Sequence, residues 1–252
     1  DNSLSNLIWA TYFGGNGNDA LYGIKINTKQ DIYITGGTSS TNLPTTSGSF
    51  QPIFQGGNTD GFVFKIDKSG QSIPFGTYIG SAAYDQTYLL DLDRYNNVYL
   101  FGQTEDTSNV FIYNALWNSP KDGQFIIKLN PSLSSRIWST TWGNGVAGID
   151  VVPSAFMVDL CNSVYLSAWG GNVNHISSSL AGGYTTNLPI TTNALQSSTN
   201  GSDYYLMVMA DDASALSYGS FYGGTSSAEH VDGGTSRFDN KGRVYQSVCA
   251  GC

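Results

Sequence analysis

Aspartates at recurring places are the first residues here with the means to do chemistry. Asp60, Asp122 and Asp203 each stand just before a strand-like run, and Asp19 and Asp85 each close a glycine-led loop such as "GGNGND" (14–19). Two carboxylates held roughly 5 to 9 Å apart would suit hydrolysis of a glycosidic bond. Their return in one repeat after another argues for a different role. A catalytic pair is needed once, whereas an aspartate that accepts backbone N–H bonds in a turn is needed every time the turn recurs. The one cofactor the residues leave open is calcium at 14–19, where a single carboxylate falls well short of the roughly 6 to 8 oxygens that this ion takes; no other cofactor or metal is expected. The two histidines, His175 and His230, lie in different long segments. Glu229 and Asp232 beside His230 would serve a metal or an acid/base site, although a histidine hydrogen-bonded within its loop is the commoner arrangement. No Ser-His-Asp order, phosphate loop or dinucleotide fingerprint is present. No catalytic residue is assigned, and the chain reads as a non-enzyme.

Aromatic side chains offer a second chemistry. Tyr113, Trp117, Trp169 and Tyr184 fall in or beside the longest loops, among Asn and Asp. A ring that stacks on a pyranose face while polar neighbours take its hydroxyls is how a sugar is bound, so these four are the candidate ligand-binding residues. Packing of the loops against the body explains them equally well. Tyr12, Tyr33, Tyr78, Tyr99, Tyr165 and Tyr245 occupy equivalent strand positions and read as packing between neighbouring units.

The cysteines form one C-x-x-C, Cys249 and Cys252, and a lone Cys161 in a predicted turn. A redox motif needs a helix start and a zinc site needs two further ligands, and neither is visible. Cys161 and the C-x-x-C fall at opposite ends of equivalent strands, roughly 20 Å apart at strand rise, too far for a disulfide. Cys161 is expected to be a buried thiol or to have its partner elsewhere.

Composition narrows the function class. The formal charge of −8, with only 11 Lys and Arg, excludes nucleic acid as a partner, because binding it requires clustered cations that displace counterions. No run of 18 apolar residues exists, so no direct membrane insertion by a helix is expected. Residues 1–6 do not resemble a signal peptide, and the chain reads as mature or as a piece of something longer.

The elements that position these residues come from a repeat. "IWATYFGG" (8–15) returns as "PFGTYIG" (74–80), "IWSTTWG" (137–143) and "SYGSFYGG" (217–224). "DIYITGG" (31–37) returns as "NVYLFGQ" (97–103), "SVYLSAW" (163–169) and "RVYQSVC" (243–249). Each unit holds four β-branched and aromatic runs, in the first unit 8–13, 21–26, 31–36 and 61–67, separated by Asn, Asp and Gly turns. A fixed-order unit of roughly 65 residues is a repeat architecture. The predicted fold is all-β: a β-propeller of four-stranded antiparallel blades, seen as about four consecutive blades over 8–74, 75–137, 138–216 and an incomplete 217–252. Its long inserts fall between the second and third strands. Pro44 and Pro189 predict a short helix in those inserts that lays Phe50, Leu195 and Leu116 on the blade. Strand parity gathers all the long loops at one end, the default binding face.

"WATYFGGNGND", "DIYITGGTSSTNLPTTSGSFQ" and "TDGFVFKIDKSG" resemble the bacterial SBBP-type β-propeller repeat. "HVDGGTSRFDNKGRVYQSVCAGC" (230–252) resembles large extracellular proteins of Bacteroidota that carry such repeats with a gliding-motility-associated C-terminal domain. The resemblance spans nearly the whole chain, with 146–156 and 171–187 fitting poorly. It implies a secreted or surface-anchored protein of a Gram-negative bacterium, exported by the type IX route and used in adhesion, binding or assembly. Its expected partners are a surface glycan or protein, other domains of the same chain, or type IX secretion components. The alternatives are a lectin-like carbohydrate-binding module and part of a secreted glycoside hydrolase. The resemblance also implies further cysteines downstream, hence a structural disulfide that involves Cys249 or Cys252 in an oxidising compartment.

Overall fold

The computed structural model describes residues 5–171, 183–230, 236–239, 243–247 and 249–250. Within them the chain forms three four-stranded antiparallel sheets, each ordered as in the sequence. The first holds β1 (Asp19–Ile26), β2 (Ile32–Thr38), β3 (Asp60–Ile66) and β4 (Phe75–Ile79). The second holds β5 (Asp85–Leu92), β6 (Val98–Thr104), β7 (Gln124–Leu129) and β8 (Arg136–Trp142). The third holds β9 (Val152–Val158), β10 (Val164–Trp169), β11 (Tyr204–Met209) and β12 (Leu216–Tyr222). Two short ladders follow: β13 (Glu229–His230) with β16 (Cys249–Ala250), and β14 (Ser236–Phe238) with β15 (Val244–Gln246). They lie where the repeat places a fourth first-and-second-strand hairpin.

The hairpin turns form for a reason legible in the residues. Asn27, Asp93 and Asp159 each accept two backbone N–H bonds through one side-chain oxygen, from Lys29 and Asp31, from Tyr95 and Asn97, and from Cys161 and Ser163. Gln30, Asn96 and Asn162 then take the left-handed conformation that reverses the chain, at φ 68°, 63° and 64°. These are local Asx turns, in which a side chain does the work of a backbone carbonyl. The first strand of every sheet also carries a β-bulge opposite the second, at Tyr22, Tyr88 and Ser154. A bulge adds twist, so each sheet bends in the same way.

Successive sheets pack face to face. Tyr33, Val63 and Ile79 of the first sheet bury with Leu90, Leu100, Phe125 and Ile127 of the second. Tyr99, Phe101, Trp138 and Trp142 of the second bury with Leu166, Tyr205 and Phe221 of the third and with Val151 just before it. At the joint between the first two sheets the Thr35 hydroxyl donates to Thr87 and the Thr87 hydroxyl to the Gly36 carbonyl, both at 2.7 Å.

The inserts do not form the expected helix. The only helical turn among the described residues is a 3-10 turn at Asp211–Ala213, and Leu116 and Leu195 are 85% and 73% exposed. The inserts instead run extended beside the fourth strand, whose outer edge has no strand to pair with. Thr46 N–H donates to the Gly76 carbonyl and Tyr78 N–H to the Gln51 carbonyl. Tyr113 and Ser139 exchange both bonds, and Thr191 and Gln196 repeat the pattern against Gly219 and Phe221. An unpaired edge is an aggregation hazard, and the insert removes it. The prolines fit this role, since proline fixes φ and removes the donor that would face away from the ladder.

The first two inserts also reach the next sheet. Phe50 N–H donates to the Leu133 carbonyl and Trp117 N–H to the Ala213 carbonyl, each in the turn before a fourth strand. Phe50 and Trp117 pack on the two inter-sheet cores. Trp117→Ala should therefore cost about 2 to 3 kcal/mol, below the ~3 to 5 of a fully buried tryptophan. Leu116→Ala, one residue away and exposed, should stay within about 0.5 kcal/mol in the same urea titration.

Residues 8–13 are not a strand, contrary to the repeat pattern. The physical reason is that the described residues supply no third strand for them to pair with. Phe13 nonetheless packs 4.7 Å from Phe64 and 5.4 Å from Phe62, as Ile79 packs against the sheet that follows it. Of the tyrosines expected between units, Tyr33, Tyr78 and Tyr99 are buried, whereas Tyr12 and Tyr245 are exposed. Tyr165 is half-buried against Phe238.

Candidate functional site: carboxylate pairs where sheets meet

Before the first strand of each sheet, and before β13, the chain makes the same arrangement. A glycine closes the preceding segment, a fourth strand in all but the first case, and the N–H of the following residue donates to a carboxylate at or just before the start of the next strand. The bonds are Gly15 to Asp19 at 2.8 Å, Ser81 to Asp85 at 2.6 Å, Asn144 to Asp150 at 3.0 Å and Gly224 to Glu229 at 2.9 Å. At the last three a second carboxylate arrives from the third strand of the preceding sheet. Asp60, Asp122 and Asp203 are each fully buried there.

The glycine is what lets the two acids meet. A Cβ at Gly80 would lie 2.2 Å from Asp60 Oδ1, and one at Gly143 would lie 2.5 Å from Asp150 Oδ2 and 2.9 Å from Asp122 Cγ. At Gly223 it would meet Asp203 Oδ1 at 2.4 Å and Glu229 Oε2 at 2.6 Å. At Gly143 and Gly223 the two carboxylates thus close on the same spot beside a bare backbone, and at Gly80 Asp60 does so. Gln51 and Gln196, from the inserts, brace it from outside: each accepts the glycine N–H through Oε1, at 2.9 and 3.0 Å, and Gln196 Nε2 reaches Asp203 Oδ2 at 3.1 Å.

Burial sets the electrostatics. Asp60 is pushed up to about 7, by burial first and then by the charge of Asp85, and only the Gln55 N–H opposes this. Asp150 rises to about 7 for the same reasons, with Asp122 as its neighbour. Asp85 rises to about 6 through burial, against hydrogen bonds from Ser81 and Thr104. Asp122 and Asp203 are raised as well, Asp203 by burial and by Glu229 beside it. A carboxylate taken out of water without a cation prefers its neutral form.

Sequence reasoning placed Asp19, Asp60, Asp85, Asp122 and Asp203 at one end of the sheets, and they are there. It missed Asp150 and Glu229, because the loop between glycine and acid lengthens in the later repeats and Glu replaces Asp in the last. Glu229 adjoins His230 in the sequence, but its carboxylate turns to Ser227 and Gly224. His175, Asp232 and Cys252 lie outside the described residues, as does the insert segment 172–182. His230 pairs with Cys249 across β13 and β16. Cys161 is an exposed free thiol, not a buried one, because it stands at the third position of a surface Asx turn, where its N–H and not its side chain is tied to Asp159. Among the described residues no group of three His, Cys, Asp or Glu converges as a metal cluster.

The four candidate aromatics divide into two places. Tyr113 lies on the outer edge of the second sheet, 44% exposed, with the Arg136 guanidinium 4.6 Å from its ring. Trp117, in the same insert, is half-buried against the second core. Trp169 ends β10 and is half-buried, and Tyr184 is 40% exposed beside Gly201. Concavities lie elsewhere. One of about 320 Å³ sits at the tight-turn end, among Lys25, Asn27, Asp93, Arg94, Asp159 and Leu160, and one of about 300 Å³ lies among Lys29, Tyr33, Lys65, Tyr95 and Pro131. One of about 220 Å³ at the long-loop end is lined by Asn18, Tyr22, Thr38, Asn58 and Gln86.

No protein-family model matches the chain, and no curated protein matches it.

Proposed function

We propose that the chain is a non-catalytic portion of a β-propeller that serves adhesion, binding or assembly at the outer surface of a Gram-negative bacterium. The observation that carries the non-catalytic part is recurrence. The same carboxylate pair, glycine and N–H bond occur at three junctions, and a reaction would need them once. Burial points the same way, because Asp60, Asp122 and Asp203 have no exposed surface to offer a sugar chain. The propeller reading is supported by how the first strands seat. Leu90 of β5 is 7% exposed in the core it shares with the first sheet, and Phe156 of β9 lies 5.8 Å from Phe101 of the second. Ile24, the equivalent residue of β1, is 68% exposed, which suits a face that receives another blade. The extracellular setting and the type IX route rest on the repeat resemblance.

The test is surface-plasmon binding of the chain to a panel of bacterial and plant polysaccharides, with reducing-sugar release followed in parallel. Saturable binding without release is the expected result, and release of sugar from any of them would overturn the non-catalytic reading. Tyr113→Ala and Tyr184→Ala, both at exposed rings, should weaken glycan binding about tenfold each if a stacking surface is used, since one lost ring contact of ~1.4 kcal/mol is a factor of ten. Unchanged binding in both would place the ligand elsewhere, with the 220 Å³ concavity around Tyr22 and Gln86 as the next surface to alter.

A further inference from the structure

We infer that the sheet junctions are binding sites for a hard divalent cation of the calcium class. Two carboxylates stand at each junction, and at each at least one of their oxygens has no hydrogen-bond donor. Asp60 Oδ1, Asp122 Oδ1, Asp203 Oδ1 and Glu229 Oε2 are buried with no hydrogen-bond partner. A buried acceptor left unpaired is costly, and a buried carboxylate more so. At the third junction, both orphan oxygens, from residues 0% and 2% exposed, come within 2.6 Å of one point at Gly223.

Two buried like charges need a counter-charge. The ion pairs among the described residues involve Lys25, Lys65 and Lys128, and none reaches a junction carboxylate. N–H groups of Gln196 and Gly224 hold Asp203 Oδ2 and Glu229 Oε1, and oxygens stand beside these acids: the Ser227 hydroxyl at 2.7 Å from Glu229 Oε1, the Thr185 and Thr199 hydroxyls 2.9 Å from each other beside Asp203, and the Ser202 carbonyl that accepts Glu229 N–H. Carboxylate, carbonyl and hydroxyl oxygens with no imidazole or thiolate among them suit calcium, whose coordination is flexible, better than zinc or copper. The loop at 14–19 lacks the second carboxylate, and Asp19 there is satisfied by Thr38, Ser40 and Gly15, so it is excluded. The inference does not rest on the adhesive reading, since a cation at the joints would lock sheet to sheet whatever the faces bind.

The experiment uses the whole chain, stripped with EDTA and dialysed, titrated with calcium chloride by calorimetry at pH 7.5 and melted with and without the metal. Saturable heat at more than one equivalent and a rise in Tm of several degrees are expected. Asp203→Asn should lower the stoichiometry by one while the circular-dichroism spectrum is kept, and Asp60→Asn should do the same at the first junction. Absence of heat and of any Tm change with calcium, magnesium and manganese would overturn the inference and leave a proton as the counter-charge. Binding that survives both substitutions at full stoichiometry would overturn it too, by placing the ion outside the junctions.

Discussion

Replacing Gly36 by alanine should destabilise the chain by at least about 3 kcal/mol, the upper range for a forced overpacking. An alanine Cβ there would lie 1.8 Å from the carbonyl oxygen of Ala20, and no side-chain rotation can move a backbone carbonyl away. Gly36 faces Leu21 just before the bulge at Tyr22, so relief would require the bulge itself to open. The neighbouring sheet repeats the constraint: a Cβ at Gly102 would lie 2.4 Å from the Gln86 carbonyl oxygen. For a domain of this size the loss corresponds to a Tm lower by about 6 to 12 °C. The third sheet supplies the control, because Ala168 occupies the same strand position and is fully buried with its methyl in place. Ala168→Gly should cost only about 1 kcal/mol. A Gly36→Ala chain that melts within 2 °C of the parent, roughly the scatter of the method, would show that the approach of the two strands relaxes.

Stability of the metal-free chain should fall as pH rises from about 4.5 to 8. The ordinary carboxyl value is 3.8, while folding pushes Asp60 and Asp150 up to about 7 and Asp85 to about 6. The folded chain thus keeps protons that the unfolded chain has released, and the slope of unfolding free energy against pH is negative in that window. The stability these groups contribute is fully present below the unfolded value and is lost as pH passes the folded ones. The charges that act on Asp60 and Asp150 are Asp85 and Asp122, of the same sign. Asp31 and Asp67 work in the opposite sense. Lys65 holds Asp31 below its ordinary value, and Ser69 does so for the exposed Asp67, so what they contribute disappears only as pH drops below about 4. At 1.36 kcal/mol per unit, discounted for relaxation of the interior, the buried pairs should be worth on the order of 4 kcal/mol, or about 10 °C in Tm. Melting curves in EDTA across this range are the measurement. A flat profile would mean that the pairs stay ionised at no cost, and Asp60→Asn should flatten a sloping one.

Sequence alone determined what local chemistry controls. Period-two runs of Val, Ile, Tyr and Phe make strands wherever they stand, and an Asx residue followed by a left-handed position makes a tight reversal without help from the rest of the chain. The repeat then gave the number and order of strands in each sheet, because hairpin-connected antiparallel strands have few alternatives. Trp9 and Phe13 mark where that reasoning runs out: they repeat the residues of a fourth strand, but a strand exists only through the ladder it joins, and residues 8–13 have none. Leu116 and Leu195 show the same for the inserts. Their pattern suits a helix, yet the open edge of the fourth strand competes for the insert backbone and wins.

The carboxylate pairs belonged to tertiary structure from the start. Asp60 and Asp85 stand in different repeats, as do Asp203 and Glu229, and only the stacking of one sheet on the next brings them beside the same glycine. The order of residues along the chain does not reveal these pairs, because half of the acids at each junction come from the neighbouring sheet.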